Sequence, residues 1–485
     1  MRAIRRDGPG LLMLAGVALL LHGYHFGVED QTLYLPAIER HLAPALFPHD
    51  AVFFLTETRF TWFDELTAGF IRATHLPLDV AVFIIYLAAL LAILAACQRL
   101  LRTTFADRSA EWAGLLTVVI LLPFPVAGTR MALVEWYLHP RGPAMACMLW
   151  AFVAGIERRM IALPLIALAA AIHPLTALWG VAHVACQARC WRWRMRLPVA
   201  VAAVLPFWTL GHRPPRWETS YWLDALSPSQ FDIRYPINWP WYEWVGVVAP
   251  LALLAYCAWD SRRRGAARLA TVTALLGVSG ALGVLVALAL TVFPSRRLPF
   301  QPMRELHIVY FVTLLSVGAW IEQRLLRGRL HYRLLFFVPL ATAVVLAQPS
   351  FPSSPHVEWP GRPPSNGWAD AFEWSRQHTP VDALFALDPF YLRRTTADTH
   401  SFRALAQRSM LAEAVHDLSP AAMSPALGAR WMAESKDLAA WQRFTREDFE
   451  NLKRKYGVSW VVLARPQPPD LVCPYVNESA AVCRL

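Results

Sequence analysis

The sequence predicts an α-helical polytopic membrane protein of about eleven spans that ends in one soluble α/β or α+β domain. Two observations predict it. Of 485 residues, 56% are hydrophobic and only 17% charged, whereas a soluble globular chain carries roughly a quarter charged residues, so the excess apolar surface has to face lipid. That excess is also organised. Apolar runs alternate with short arginine-rich stretches as far as about Gln348, beyond which charge and polarity rise and no run reaches spanning length.

A bilayer-crossing helix needs roughly 20 apolar residues, fewer where it packs inside a bundle. Such runs fall near 11–28, 78–97, 112–129, 142–156, 160–173, 175–188, 197–212, 244–259, 269–293, 305–322 and 334–348. With a cytoplasmic N-terminus, the inner loops collect Arg2, Arg5 and Arg6, then Arg99, Arg102 and Arg108, then Arg158 and Arg159. Further on they collect Arg189, Arg192, Arg194 and Arg196, then Arg262, Arg263, Arg264 and Arg268, and last Arg324, Arg327, Arg329 and Arg333. Every inner loop is then basic, as the positive-inside rule requires. The net charge of +11 therefore reports membrane orientation and not a nucleic-acid partner. An odd number of spans places the C-terminal domain outside. The two short runs that meet at Ala171-Ile172-His173-Pro174 are read as separate helices and not as one kinked helix. Merging them would turn the basic, tryptophan-rich stretch 186–196 into an outer loop. No small-residue cleavage pattern follows the first run, so it is expected to remain as an anchor. The domains expected are a transmembrane domain over 1–348 with an acidic first outer loop at 29–77, a Pro-rich linker over 349–366, and an extracytoplasmic mixed domain over 367–485.

Glu29 and Asp30 stand at the outer mouth of the first span, followed by Glu39, Asp50, Glu57, Asp64 and Glu65. Leu33, Ile38 and Leu42, then Phe60, Phe63, Leu66 and Phe70, recur at spacings near three and four, which predicts amphipathic helices lying in the membrane interface. An ionisable pair at a span mouth is costly unless solvated, paired or functional. Three readings follow for Glu29 and Asp30: solvated surface acids, a general base in a partly desolvated cleft, or oxygen ligands that hold a divalent cation together with Asp50.

Other polar residues collect on the outer side. Two His-Pro pairs, His139 beside Arg141 and His173, end helices and turn polar side chains toward a cavity or simply cap those ends. Gln301 and Arg304 open the tenth span, where Arg304 either holds a phosphate bidentately or anchors to headgroups, and Arg296 and Arg297 share that ambiguity. The loop 213–244 is rich in tryptophan, as an interfacial belt is. Seven cysteines contain no paired C-x-x-C of metal spacing, so a zinc site is not expected. Cys473 and Cys483, both in the polar tail, can close a short loop in an oxidising compartment.

The tail opens Pro-rich and continues with a helix over 368–377, a strand over 383–387, a helix over 449–455, Gly457 and a further strand to Ala464. That order predicts α/β or α+β packing. The tail carries no G-x-S-x-G, H-E-x-x-H, P-loop or G-x-G-x-x-G motif, so it has no support as an independent hydrolase or nucleotide-binding domain.

An acidic pair directly after the first span, a long first outer loop, about eleven spans and an outward C-terminal domain together resemble the GT-C superfamily of polytopic membrane glycosyltransferases. The phrases HTPVDALFALDP and YGVSWVVL are similar to outward domains of its bacterial, uncharacterised branch. The resemblance covers the layout of the whole chain and few residues in detail. It implies a polyprenyl-phosphate or dolichyl-phosphate sugar as donor, a glycan, lipid or protein as acceptor, and a bacterial cytoplasmic membrane as location. It also implies Asp30 as base with Glu29 as its neighbour or as ligand to Mg or Mn, Arg304 on the lipid phosphate, and inversion at the anomeric centre by a single displacement. Gln301, His139, Arg141 and His173 are then substrate-binding candidates. Two other classes compete. A transporter or flippase would need polar residues at mid-bilayer and repeated halves, and the spans offer few of the first and no convincing repeat. A noncatalytic scaffold would share the layout alone.

Overall fold

The computed structural model describes residues 2–188, 239–292, 301–348, 351, 353–362, 364–393, 400–421, 423–468 and 470–485. The run expected to span near 197–212, the part of the aromatic loop at 213–238, and Arg296 and Arg297 lie outside the described residues. In chain order, α1 (Arg2–His22) precedes three shorter helices, α2 (Gln31–Leu42), α3 (Ala51–Thr58) and α4 (Phe63–Thr74). Then come α5 (Leu78–Thr104), α6 (Arg108–Ile120), the strands β1 (Pro125–Val126) and β2 (Met131–Ala132), and the helices α7 (Arg141–Ile156), α8 (Ala162–Ile172) and α9 (Pro174–Gln187). Next are α10 (Trp241–Arg263), α11 (Ala267–Val292), α12 (Leu306–Ile321) and α13 (Leu330–Ala347). The last stretch holds α14 (Gly367–His378), β3 (Leu384–Ala386), α15 (Phe402–Ala406), β4 (Ser409–Met410), α16 (Leu418–Ala421), α17 (Pro425–Leu438), α18 (Arg446–Tyr456), β5 (Trp460–Ala464), β6 (Val472–Val476) and β7 (Ala480–Arg484). The described residues divide into two compact units, one of 2–23, 84–188, 239–292 and 301–348, the other of 24–83 and 351–485.

The first unit is the membrane unit. Among the described residues, five helices are long and apolar enough to cross a membrane: Leu78–Thr104, Trp241–Arg263, Ala267–Ala289, Met303–Leu326 and Leu330–Ala347. Shorter apolar helices run over Asp7–His22, Arg141–Ile156 and Ala162–Ile172, so full-length crossings among the described residues are fewer than the about eleven expected. Two expected runs also end early. The run at 112–129 stops as helix at Ile120, because Pro123 and Pro125 lack the N–H that a helix needs, and the chain continues into the β1–β2 pair. The run at 11–28 stops at His22, where Gly23 takes φ +76° and donates its N–H to the Leu19 carbonyl at 2.9 Å, a left-handed helix terminator that suits glycine. The short pair around His173 is indeed two helices. A residue before proline is driven to extended backbone, and His173 has φ −152° and ψ 92° there, its Nδ1 capping the Thr176 N–H. Several arginines at helix ends are ion-paired: Arg102 with Asp7 at 2.6 Å and Glu111 at 2.9 Å, Arg99 with Glu157 at 2.6 Å, and Arg333 with Glu322 at 2.5 Å.

The second unit is built on a five-stranded mixed sheet in the order β4-β3-β5-β7-β6. Its β4, β3 and β5 strands are parallel, and β7 and β6 run antiparallel to their neighbours. Strand side chains alternate between faces, so β5 places Trp460 and Val462 in one core with Phe372, Phe385 and Phe402, and Val461 and Leu463 in another with Phe449 and Leu452. A disulfide joins Cys473 to Cys483 across β6 and β7. Residues 24–83 supply part of this unit's interior. Leu33, Ala37, Phe47 and Phe54 form one cluster, and Phe53 packs on Ala412, Ala421 and Leu427. The apolar face expected to lie in the membrane interface therefore differs: Leu33, Ile38 and Phe63 are buried in protein, while Leu66 stays exposed.

Arg403 fastens the two stretches of this unit together. Its Nε donates to Asp50 Oδ2 at 2.6 Å, and its two terminal nitrogens donate to Asp417 Oδ1 and Oδ2 at 2.8 and 2.7 Å. All three side chains are fully buried. Breaking such a group by removing one partner leaves charge with no counterion and costs roughly 3–5 kcal/mol. Arg403→Ala, measured by thermal unfolding and limited proteolysis, is expected to lower stability by about that amount, whereas surface Arg446→Ala is expected to change it by less than about 0.5 kcal/mol.

Candidate functional site

The turn that carries the acidic pair is held on both sides. Val28 bridges to His400, the Ser401 N–H donates to the Gly27 carbonyl at 2.6 Å, and the Gly27 N–H donates to Gln31 Oε1 at 2.6 Å. Just before it, Glu358 accepts from the Phe26 N–H at 2.8 Å, His25 Nδ1 at 3.2 Å and His400 Nε2 at 2.9 Å. Burial pushes the Glu358 carboxyl up, but the two histidine hydrogen bonds outweigh it and hold the group down at about 2. Glu29 sits at φ +50°, a backbone region that L residues visit only where the surroundings impose it. Asp30 follows as the residue before α2, and its side chain does not cap that helix.

Both acids are half-buried and share their surroundings with Glu413 and His416. His416 donates its backbone N–H to Glu413 Oε2 at 2.5 Å, and its Nδ1 lies 3.1 Å from the same oxygen. Burial lowers the His416 pKa, but the Glu413 hydrogen bond and charge, with the charges of Asp30 and Glu29, raise it to about 9. Glu29 moves the other way. Burial raises its carboxyl above the ordinary range, His416 opposes that, and Asp30 and Glu413 add to it. At neutral pH the result is an imidazolium set among three carboxyl groups, a place that can take up and hold a proton. Neither Glu413 nor His416 was singled out by the sequence, which offers no motif around them.

The expected cation partner Asp50 is placed differently. It is fully buried, and its Oδ2 accepts from Arg403 and, at 3.1 Å, from the Met410 N–H, so that oxygen serves the fold. A divalent cation at the acid pair would be held by Glu29 and Asp30.

In the membrane unit the other expected residues come together. The Thr176 N–H donates to His173 Nδ1 at 3.2 Å, and the Arg141 N–H donates to His139 Nδ1 at 3.0 Å. A backbone N–H can only donate, so His139 accepts at Nδ1, and His173 Nδ1 also lies 2.8 Å from the Thr176 hydroxyl. Arg304 Nη1 lies 3.3 Å from His173 Nε2, and the His139 and His173 rings are 5.7 Å apart. Arg304 Nε donates to Gln301 Oε1 at 2.6 Å, with Gln301 on left-handed backbone at φ +37°. Arg141 is buried and paired with Glu135 at 2.6 Å, and also approaches Met131 Sδ. Glu305, next to Arg304 in sequence, is paired with His183 at 3.3 Å. The arrangement gathers two guanidinium groups, Arg141 and Arg304, beside two imidazoles, and with Arg141 paired to Glu135, Arg304 is the group suited to an anionic oxygen.

Protonation of His416 is a stability statement with a definite sign. Its folded pKa of about 9 exceeds the ordinary value of about 6.5, so its contribution is complete below about pH 6.5 and disappears as pH rises through about 9. His416→Gln is expected to cost up to about 3 kcal/mol below pH 6.5 and nothing above about pH 10, read from unfolding midpoints of the two proteins across that range.

No family model matches the chain, and no curated protein matches it. Among solved structures the chain is similar to the archaeal oligosaccharyltransferase AglB from Archaeoglobus fulgidus in complex with an inhibitory peptide and a dolichol-phosphate. That similarity has 13% identity and a TM-score of 0.45 over 94% of this chain and 69% of that one. It is also similar to the Archaeoglobus fulgidus oligosaccharyltransferase in complex with Zn and sulfate, with 14% identity and a TM-score of 0.45 over 94% of this chain and 67% of that one. At such identity and score, chemistry has to be argued from this chain's own residues.

Proposed function

We propose that this chain is a membrane glycosyltransferase that moves a sugar from a polyprenyl-phosphate donor to an acceptor hydroxyl or amide at the outer membrane face. The observation that carries the reading is the gathering of half-buried Arg304 with buried His139, Arg141 and His173 at the ends of apolar helices. A guanidinium among imidazoles suits an anion, and in a lipid-embedded unit a lipid phosphate is the anion at hand. Arg304 is the residue suited to hold it, since a guanidinium meets phosphate oxygens bidentately.

The chemistry assigned to the acids follows from their charge. As the acceptor attacks the anomeric carbon, its O–H or N–H proton passes to the Asp30 carboxylate, a new bond to carbon forms, and the carbon–oxygen bond to phosphate breaks. The electron pair leaves on the phosphate, where Arg304 and the histidine N–H groups stabilise it. A single displacement inverts the anomeric centre. The His416 imidazolium faces both acids and favours the carboxylate of Asp30 in a half-buried place, against the opposing effect of Glu29. A divalent cation, when bound at Glu29 and Asp30, would supply further Lewis-acid stabilisation of charge.

Purified protein reconstituted with candidate polyprenyl-phosphate sugars tests this. Asp30→Asn is expected to cut kcat by roughly 10²–10⁴ with little change in KM, the range typical of a lost general base. Arg304→Ala is expected to weaken turnover by roughly 10–100-fold, the size of a lost charged hydrogen bond, with Arg304→Lys failing to restore it. Unchanged turnover in Asp30→Asn would remove Asp30 as base. Labelled lipid crossing the vesicles with no donor consumed would replace the transferase by a transporter.

A further inference from the structure

We propose that His41, Asp64 and Glu65 form a binding site for a divalent transition-metal ion that clasps the end of α2 to the start of α4. The site is separate from the acid pair and independent of the transferase reading. His41 lies in the last turn of α2, and Asp64 and Glu65 lie in the first turn of α4. His41 Nε2 is 3.1 Å from Asp64 Oδ2 and 4.0 Å from Glu65 Oε1, and one ligand atom from each residue falls within 4.8 Å of the others. An ion about 2.1 Å from each donor atom separates neighbouring donors by about 3.0–3.4 Å and opposite ones by about 4.2 Å, so these distances need only small side-chain adjustments.

Geometry alone would make this an ordinary histidine–carboxylate pair. Burial argues for more. The Asp64 side chain is 2% exposed, and its Oδ1, on the carboxyl group whose other oxygen meets His41, has no partner in good hydrogen-bond geometry, the Thr58 side chain standing near the carboxyl. A buried carboxylate oxygen left without a donor costs roughly 1–3 kcal/mol or more, and a second carboxylate brought beside it adds repulsion. One positive ion between them relieves both. The rim is open, with His41 34% and Glu65 51% exposed in their side chains, so an ion has a path in.

The donor set chooses the class of ion. Imidazole with two carboxylates suits zinc and its neighbours, whereas Mg and Ca prefer oxygen alone. Three protein ligands leave coordination positions for water. The Arg72 guanidinium, on α4, donates to the His41 backbone carbonyl and not to the carboxylates.

The full chain in detergent, stripped with EDTA and titrated calorimetrically with ZnCl₂, tests the site. Native protein is expected to take up one zinc equivalent at this site and to unfold at a higher temperature with zinc, as a ligand bound only to the folded state requires. His41→Ala, at a side chain one-third exposed, and Asp64→Asn, which keeps size and polarity, are each expected to weaken that uptake at least tenfold. Both should abolish the thermal shift while leaving the metal-free unfolding midpoint near native. No zinc uptake by the native chain would overturn the proposal, as would equal uptake by native chain and both variants.

Discussion

Arg403 brings a full positive charge to a place with no water, and Asp50 and Asp417 make that tolerable. A lone buried cation would be ruinous, yet three good hydrogen bonds to two carboxylates satisfy most of what it lost on leaving solvent. Burial by itself would lower the Arg403 pKa, and the charges and hydrogen bonds of Asp417 and Asp50 more than offset that. Because Asp50 precedes α3 and the other two residues flank β4, the triad obliges residues far apart in sequence to fold as one piece.

That obligation reaches the acid pair through few bonds. Asp417 Oδ2, one of the oxygens held by Arg403, also accepts the Glu413 N–H at 2.8 Å, and Glu413 in turn accepts from His416. His416 is the positive charge set against Glu29 and Asp30. On the other side, the His25–Glu358–His400 group fixes residues just before Glu29. The acids therefore owe their surroundings to buried ion pairs elsewhere in the unit, which a chain with weaker packing could not maintain.

Periodicity and composition made the membrane helices, the β3 and β5 strands and the helix before Gly457 legible, because each is a local pattern of apolar residues or breakers. His173 was legible for the same reason: a histidine before proline must leave the helix. The contacts of Asp50 were not. An aspartate in an acidic loop looks like a solvated or ligating group, and only its distant partner Arg403, an arginine in an unremarked stretch, reveals a structural role. Likewise α2 carries an interfacial pattern, yet that pattern only records an apolar face, and protein or lipid can cover it equally well. His416 and Glu413 escaped notice because electrostatic neighbours hundreds of residues apart leave no spacing to read.

The two kinds of buried charge in this chain differ in one respect that bears on function. Around Glu358 donors meet acceptors and the geometry closes on itself. At Arg304 a guanidinium meets an imidazole, and at Asp64 one carboxyl oxygen finds no donor in hydrogen-bond geometry. Proteins satisfy buried polar groups almost everywhere, and the places where local chemistry conflicts with that rule are where a ligand is expected to complete it. The sign of each site names its ligand: the guanidinium of Arg304 in the membrane unit calls for an anion, and the carboxylates between α2 and α4 call for a cation.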